Sequence, residues 1–134
     1  MASTSKRFVD NFSRALDSKS RFSIPASWRP RVGEDFYLFP RENARVAVLT
    51  KKEVESVLKK IHADPGINAD EKEVQSQALF ANTILATTDN QKKLTLDPSL
   101  IRHMKLPRVI VLVGKGKRFG LWNVISVKLQ QPKR

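Results

Sequence analysis

The chain contains no cysteine, which rules out a disulfide framework, a thiolate metal site and a cysteine nucleophile. That absence fits a reducing compartment. Histidine is nearly as scarce, with His62 and His103 the only two. Without clustered carboxylates around them they make no convincing metal site. His62, at a helix end near Asp64, reads as a solvated residue favoured by the helix dipole, and His103, closing the short basic run Leu100-Ile101-Arg102-His103, reads the same way. No uninterrupted apolar run approaches the roughly 20 residues that a membrane span needs. The start, Met1-Ala2-Ser3-Thr4-Ser5-Lys6-Arg7, has a basic pair with no apolar segment behind it, so the expected compartment is the cytoplasm. Acidic residues are outnumbered, 13 Asp+Glu against 25 Lys+Arg, for a net charge of +12. A surplus of that size attracts polyanions, nucleic acid first among them. Ribosomal and membrane-surface proteins share the signature, and a generic basic surface is the plainer explanation.

What is present is a succession of short elements. At 134 residues the chain suits one ordinary domain or two very small ones. Residues 1–10 are small, polar and basic, with Phe8-Val9 as the first pair expected to join the fold. Phe12–Leu16 alternates apolar and polar positions, as a half-buried strand does. A charged turn at Asp17 follows, then Phe22-Ser23-Ile24, and the two stretches read as a β-hairpin carrying Lys19 and Arg21 at its tip or shoulder. Ala26–Arg29 suggests one helical turn, and Phe36–Phe39 an aromatic strand ended by Pro40. Arg45–Leu49 is the next strand. Thr50 with Glu53 makes a capping box for a helix over Lys51–His62, whose Val54, Val57, Leu58 and Ile61 share one face. A second helix is expected over Ala69–Phe80, with Val74, Ala78 and Phe80 as its buried stripe. Thr83–Thr88 reads as a strand leading into Asp89–Pro98.

That last segment repeats the earlier turn. Asp17 and Asp89 lie 89 − 17 = 72 residues apart, and Arg21 and Lys93 keep the same offset. Phe22-Ser23-Ile24 returns as Leu94-Thr95-Leu96, and Ser27-Trp28 as Ser99-Leu100. After a one-residue slip, Arg45–Leu49 returns as Arg118–Trp122, and Phe36–Phe39 as Val109–Leu112. Short β segments resemble one another by chance, but several in one order point to an internal duplication. A unit of about 40 residues cannot bury a sufficient core alone; two copies that interleave their strands can.

The stretch Asp17-Ser18-Lys19-Ser20-Arg21-Phe22-Ser23-Ile24-Pro25-Ala26 resembles the signature of the MraZ family, within the wider AbrB-like group of bacterial transition-state regulators. The tail from Val109-Ile110-Val111-Leu112-Val113-Gly114 to Arg118-Phe119-Gly120-Leu121-Trp122 is also close to the family's pattern, and the likeness spans roughly residues 8–125. Four positions depart from it. Ser20 stands where the family's turn has glycine, Lys92-Lys93 replaces Gly-Arg in the second copy, and Asp97 stands where proline is common.

The resemblance implies an α+β, mainly β fold: two tandem swapped-hairpin units forming a pseudo-two-fold, double-layered barrel with flanking helices. The division is then a first unit with its helix at 8–63, a helical linker at 64–82 and a second unit at 83–127. The implied function is a sequence-specific DNA-binding transcriptional regulator, a repressor acting on short promoter repeats of a division and cell-wall gene cluster. It would be nucleoid-associated and assembled into a homo-oligomeric ring, with no cofactor, membrane or small-molecule substrate. By position, Lys19 and Arg21 are the implied DNA contacts, with Lys92 and Lys93 in the second copy and Asp17 and Asp89 supporting the turns. An arginine fork suits guanine's major-groove edge or phosphate, whereas lysine is a point charge. The first turn is therefore expected to choose sequence and the second to add salt-sensitive affinity.

Other readings remain open on the residues alone. Arg21 pairing with Asp17 would make both merely structural. Gly114-Lys115-Gly116-Lys117 faintly resembles a phosphate loop, but reads better as a basic turn between strands because no helix follows it. Trp28, Phe36, Tyr37, Phe39 and Trp122 are potential base-stacking platforms, although their strand positions favour packing. The amphipathic helix at Lys51–His62 suits packing on the barrel or a neighbouring subunit better than a membrane. The case for an enzyme is thin. The rival functions are another AbrB-like regulator or antitoxin, and a ring-forming structural protein whose basic face binds acidic protein or RNA.

Overall fold

Alternating burial marks the strands in the computed structural model, which describes residues 6–124. The elements are β1 (Asn11–Ala15), β2 (Arg21–Ser23), a 3-10 turn (Ala26–Trp28), β3 (Asp35–Arg41), β4 (Arg45–Thr50), α1 (Lys51–Ala63), α2 (Ala69–Ala81), β5 (Ile84–Thr87), β6 (Lys93–Thr95), α3 (Pro98–His103), β7 (Val109–Gly114) and β8 (Phe119–Asn123). The described residues are thus mainly β with three helices, an α+β arrangement. Residues 1–5 of the basic start, and 125–127 of the expected second unit, lie outside the described residues.

Six strands form one antiparallel sheet in the order β1-β7-β8-β4-β3-β5, and β2 pairs with β6 in a separate two-stranded sheet. The expected hairpin between Phe12–Leu16 and Phe22–Ile24 is therefore corrected. β1 pairs along its length with β7, Asn11 opposite Val113 and Ala15 opposite Val109, while Phe22 of β2 faces Leu94 of β6. Local alternation specifies a strand and the face it buries, but leaves its partner to long-range packing.

The registers bring matching positions of the two similar stretches face to face. Phe22 opposes Leu94, and 94 − 22 = 72. Ala47 opposes Gly120, and 120 − 47 = 73, so β4 and β8 also cross at equivalent positions. Leu38 faces Val48 in one hairpin and Leu112 faces Leu121 in the other, which relates β3 to β7 by 112 − 38 = 74. This corrects the equivalence of Phe36–Phe39 with Val109–Leu112 by one residue. Burial explains it, because Phe36 and Leu38 point inward as Ile110 and Leu112 do.

The larger core cluster collects side chains from both halves, among them Phe8, Phe22, Trp28, Phe36, Leu94, Leu100, Ile110 and Phe119. Trp28 is completely buried, meets Phe8 and Phe12 edge-on at 5.3 and 5.4 Å, and donates its indole N–H to the Val9 carbonyl at 2.7 Å. Trp28 and Phe36 are thus packing residues. Tyr37 and Phe39 join a smaller cluster with Leu49, Val54, Val57 and Leu58 beneath α1. Trp122 is half-buried with Arg45 over its ring, 3.9 Å from the centroid.

Several local expectations change in the folded chain. β3 does not stop before Pro40 but runs through it to Arg41, with Pro40 opposite Val46. β5 flanks β3 only from Asp35 to Leu38, so Pro40 lies where β3 is paired on one side alone, a position at which proline is tolerated in a sheet. Thr50 caps α1 by accepting from the Glu53 N–H at 3.1 Å, but the Glu53 carboxylate does not return to complete the box. It binds Arg118 instead, at 3.0 Å to Nε and 2.5 Å to Nη2. α2 has no buried residue: Val74 is 64% and Phe80 44% exposed, Ala78 is exposed too, and Leu79 is the side chain that reaches the α1 cluster. Leu79 alone joins that cluster from α2, so the wider stripe inferred from composition is absent. His103 is not a solvated terminal residue, because its Nε2 lies 2.7 and 2.9 Å from the carbonyls of Arg41 and Arg45.

Candidate nucleic-acid interface

The two charged turns are built alike from the backbone outward. Asp17 donates its N–H to the Arg21 carbonyl and accepts the Ser20 N–H, both at 3.0 Å. Its Oδ1 accepts the N–H groups of Lys19 and Arg21, each at 2.9 Å. Seventy-two residues on, Asp89 repeats every bond, to Lys93 and Lys92 through its backbone and to the N–H groups of Gln91 and Lys93 through Oδ1. An aspartate folded back on its own turn is a strong local signal for this geometry. Ser20 and Lys92 both sit at φ 60°, the left-handed conformation for which glycine is favoured.

The turn therefore keeps its shape without glycine, at a cost. A non-glycine residue pays about 1–2 kcal/mol there, while glycine concedes about 0.4–1 kcal/mol through the unfolded chain. Ser20→Gly is expected to raise the melting temperature by a few degrees, read by thermal denaturation. A lower melting temperature would mean that the Ser20 side chain contributes more than its conformation costs.

The turns also meet. Arg21 Nε donates to Asp17 Oδ2 and its Nη1 to Asp89 Oδ2, both at 2.9 Å, while Lys93 Nζ reaches Asp17 Oδ2 at 3.3 Å. Each cation thus crosses to the other repeat's aspartate. The pairing of Arg21 with Asp17 weighed from sequence is present, and the bond to Asp89 adds a second anchor no local pattern shows. Two carboxylates against two cations make this inner network neutral. Lys19, Gln91 and Lys92 stand exposed around it.

Hydrogen bonding holds both aspartates below the usual carboxylate range. For Asp17 the Arg21 N–H is the largest cause, against some loss of hydration, with the Lys19 N–H and the Arg21 and Lys93 side chains adding to it. For Asp89 the Lys93 N–H leads, followed by that of Gln91 and the Arg21 side chain. The Arg21 guanidinium is correspondingly raised, chiefly by Asp17. Depressed carboxylates contribute stability that is complete above the unfolded value of about 4 and is lost as pH falls through the folded values. The turns should remain intact on mild acidification. In acid titrations followed by circular dichroism, Asp17→Asn should flatten the stability loss below about pH 4 relative to the parent chain. Parallel acid limbs would show that Asp17 is not coupled to folding.

The departure at Asp97 has a local use. Its counterpart Pro25 opens the 3-10 turn without a side-chain cap, whereas Asp97 accepts the Ser99 N–H at 2.9 Å and caps a full α-helical turn in α3.

One basic surface was not legible as a motif. An open groove of about 1160 Å³ beside Lys92 is lined by Arg29, Arg31, Lys51, Lys52 and Lys117 together with Arg7. Its acids are partly occupied, Glu34 by Arg7 at 2.6 Å and Glu53 by Arg118. These residues come from four separated stretches, and only the overall charge of +12 hinted at them.

No family model matches the chain. It is similar to transcriptional regulators named MraZ from several bacteria. Identity is 30% over 116 residues with that of Carboxydothermus hydrogenoformans, covering 87% of this chain and 80% of the relative. It is 28% over 113 residues with that of Mycoplasma mobile, covering 84% and 77%. With that of Mycoplasmopsis pulmonis it is 29% over 115 residues, covering 84% and 76%.

Proposed function

The chain belongs to the MraZ family of transcriptional regulators, and on that footing we propose that it binds double-stranded DNA through its paired turns. In this reading it represses a division and cell-wall gene cluster by binding short promoter repeats at the nucleoid, as a ring of identical subunits rather than as an enzyme. The observation that carries the proposal is the pair of pseudo-equivalent turns, which gather Lys19, Arg21, Lys92 and Lys93 at one place from positions about 70 residues apart.

The strand exchange supports two swapped-hairpin units, 8–63 and 83–127, joined through 64–82. β1 pairs with β7 while β5 pairs with β3, so the first strand of each unit joins the other's sheet. We propose the double-layered barrel as the arrangement consistent with these exchanges.

Neutrality of the inner network divides the labour differently from a simple count of turn cations. Arg21 and Lys93 are held by aspartates, with fixed orientation, whereas Lys19 and Lys92 are exposed and suit phosphate. The test is a fluorescence anisotropy titration of the full chain against DNA carrying the chain's own promoter repeats, with a scrambled duplex of equal length beside it. Tighter binding to the repeats supports the proposal, and equal binding to both overturns sequence-specific regulation. Lys92→Ala should make the salt slope shallower by about one unit while the preference for the repeats persists.

A further inference from the structure

Four cations converge at the ends of two neighbouring hairpins, away from the motif turns. Arg41 and Arg45 flank the β3–β4 turn, and Lys115 and Arg118 bracket the β7–β8 turn, around a cleft of about 530 Å³. The cleft spans the crossing of the repeats, since Arg45 and Arg118 are equivalent (118 − 45 = 73) and the small pair Ala47 and Gly120 lies between them. From these residues we propose that the cleft is a binding site for a phosphate group, separate from the paired turns.

Like charges gather against their own repulsion, and folding tolerates that when an anion offsets it or the gain elsewhere is large. Here the compensation within the chain is small. Arg118 is paired with Glu53, Glu42 lines the cleft without an ion pair to it, and Arg41, Arg45 and Lys115 have no carboxylate partner among the described residues. Arg45 Nε is buried with no hydrogen-bond acceptor among the described residues, the kind of orphan that an added oxygen would satisfy. The Lys115 ammonium is pushed below the ordinary lysine value by partial loss of hydration and by Arg45, Arg118 and Arg41.

The arrangement is also fixed in advance. His103 of α3 contacts the carbonyls of both Arg41 and Arg45, the Arg45 guanidinium stacks on Trp122, and the Lys115 N–H donates to the Arg118 carbonyl at 2.9 Å. Planar guanidinium groups beside an ammonium suit the several oxygens of a phosphate, and a site whose side chains are already oriented loses less entropy on binding. The phosphate belongs either to a nucleic-acid backbone or to a free phosphorylated small molecule.

Two measurements on the full chain distinguish these sources. Inorganic pyrophosphate is titrated at constant ionic strength while the melting temperature is followed, for the parent chain and for Arg41→Gln/Lys115→Gln, whose two residues are exposed and outside the core. Arg45→Gln is a second variant that removes the stacked cation. Separately, the salt dependence of binding to a scrambled duplex is measured for the same proteins. A concentration-dependent rise in melting temperature that weakens by about tenfold in apparent affinity in the variants supports a site for free phosphate. A salt slope shallower by about two units in the double variant, with or without the pyrophosphate effect, supports a backbone phosphate. No pyrophosphate stabilisation together with an unchanged salt slope overturns the site. Since the pyrophosphate arm needs no DNA, pyrophosphate binding in a chain that ignores promoter repeats would overturn the proposed function and leave this site standing.

Discussion

Replacing Arg21 with alanine should weaken binding to the promoter repeats by about ten- to a hundredfold and relax the preference for them. The physical reason is geometry as well as charge. Its Nε and Nη1 are fixed by Asp17 and Asp89, which leaves Nη2 without a hydrogen-bond partner among the described residues and gives the fork one orientation. A pre-oriented donor loses less entropy when it meets a base edge than a free side chain does. Removing it also leaves the two aspartates facing Lys93 alone, turning a neutral cluster net negative beside a polyanion. Arg21→Lys separates these effects, since it keeps the charge and loses the fork. It should retain most binding to scrambled DNA while losing preference for the repeats. The turn itself should survive both changes, because the Asp17 carboxylate is anchored by backbone N–H groups that no side-chain substitution removes. Anisotropy titrations of the variants on both duplexes measure this, with circular dichroism as the check on folding. Repeat affinity equal to that of the parent would leave Arg21 with a structural role alone.

Trp28→Ala carries the largest expected loss of stability, about 3–5 kcal/mol. A domain of this size holds about 5–15 kcal/mol in all, so the substitution takes away a large share. Trp28 is fully buried, packs against Phe8 and Phe12, and lies 4.8 Å from the Phe119 ring centroid. Its neighbours come from the N-terminal segment, β1 and β8, and these cannot all close over the space an indole leaves. The Val9 carbonyl also loses its donor, a separate penalty that Trp28→Phe would isolate at lower cost. Urea denaturation of the three proteins gives the comparison. A midpoint shift equivalent to less than about 1 kcal/mol for the alanine variant would mean that the core refills the cavity. Because Trp28 follows the motif turn by only a few residues, DNA binding by the alanine variant should fail with the fold and return in conditions that restore folding.

The local elements were legible because their causes are local. Thr50 announces α1, Phe22-Ser23-Ile24 announces a strand, and the Asp17 turn announces itself through an aspartate bonding to its own backbone two and four residues on. The repeat spacing of 72 was equally visible, since equivalent residues carry the same chemistry in the same order. These features depend on periodicity, capping and turn conformation within about ten residues. The family likeness rested on that turn and on the tail from Val109 to Trp122.

Partners were not legible. Nothing near Phe12 says that β1 should leave the neighbouring β2 and join β7, and nothing near Arg21 says that Asp89 will hold it. Pro40 looks like a strand end until the short reach of β5 shows that β3 is paired on one side alone there. Val74 and Phe80 look buried from their spacing, yet in the folded chain they are 64% and 44% exposed, and it is Leu79 that packs on the small cluster. The sequence alone determined which segments extend or coil, which side chains must leave water, and where a charged turn recurs. The tertiary structure decided which strand each edge accepts, which carboxylate each cation meets, and which basic residues share a cleft. Those choices turn on burying a core whose side chains come from both ends of the chain, which no single stretch can enclose alone.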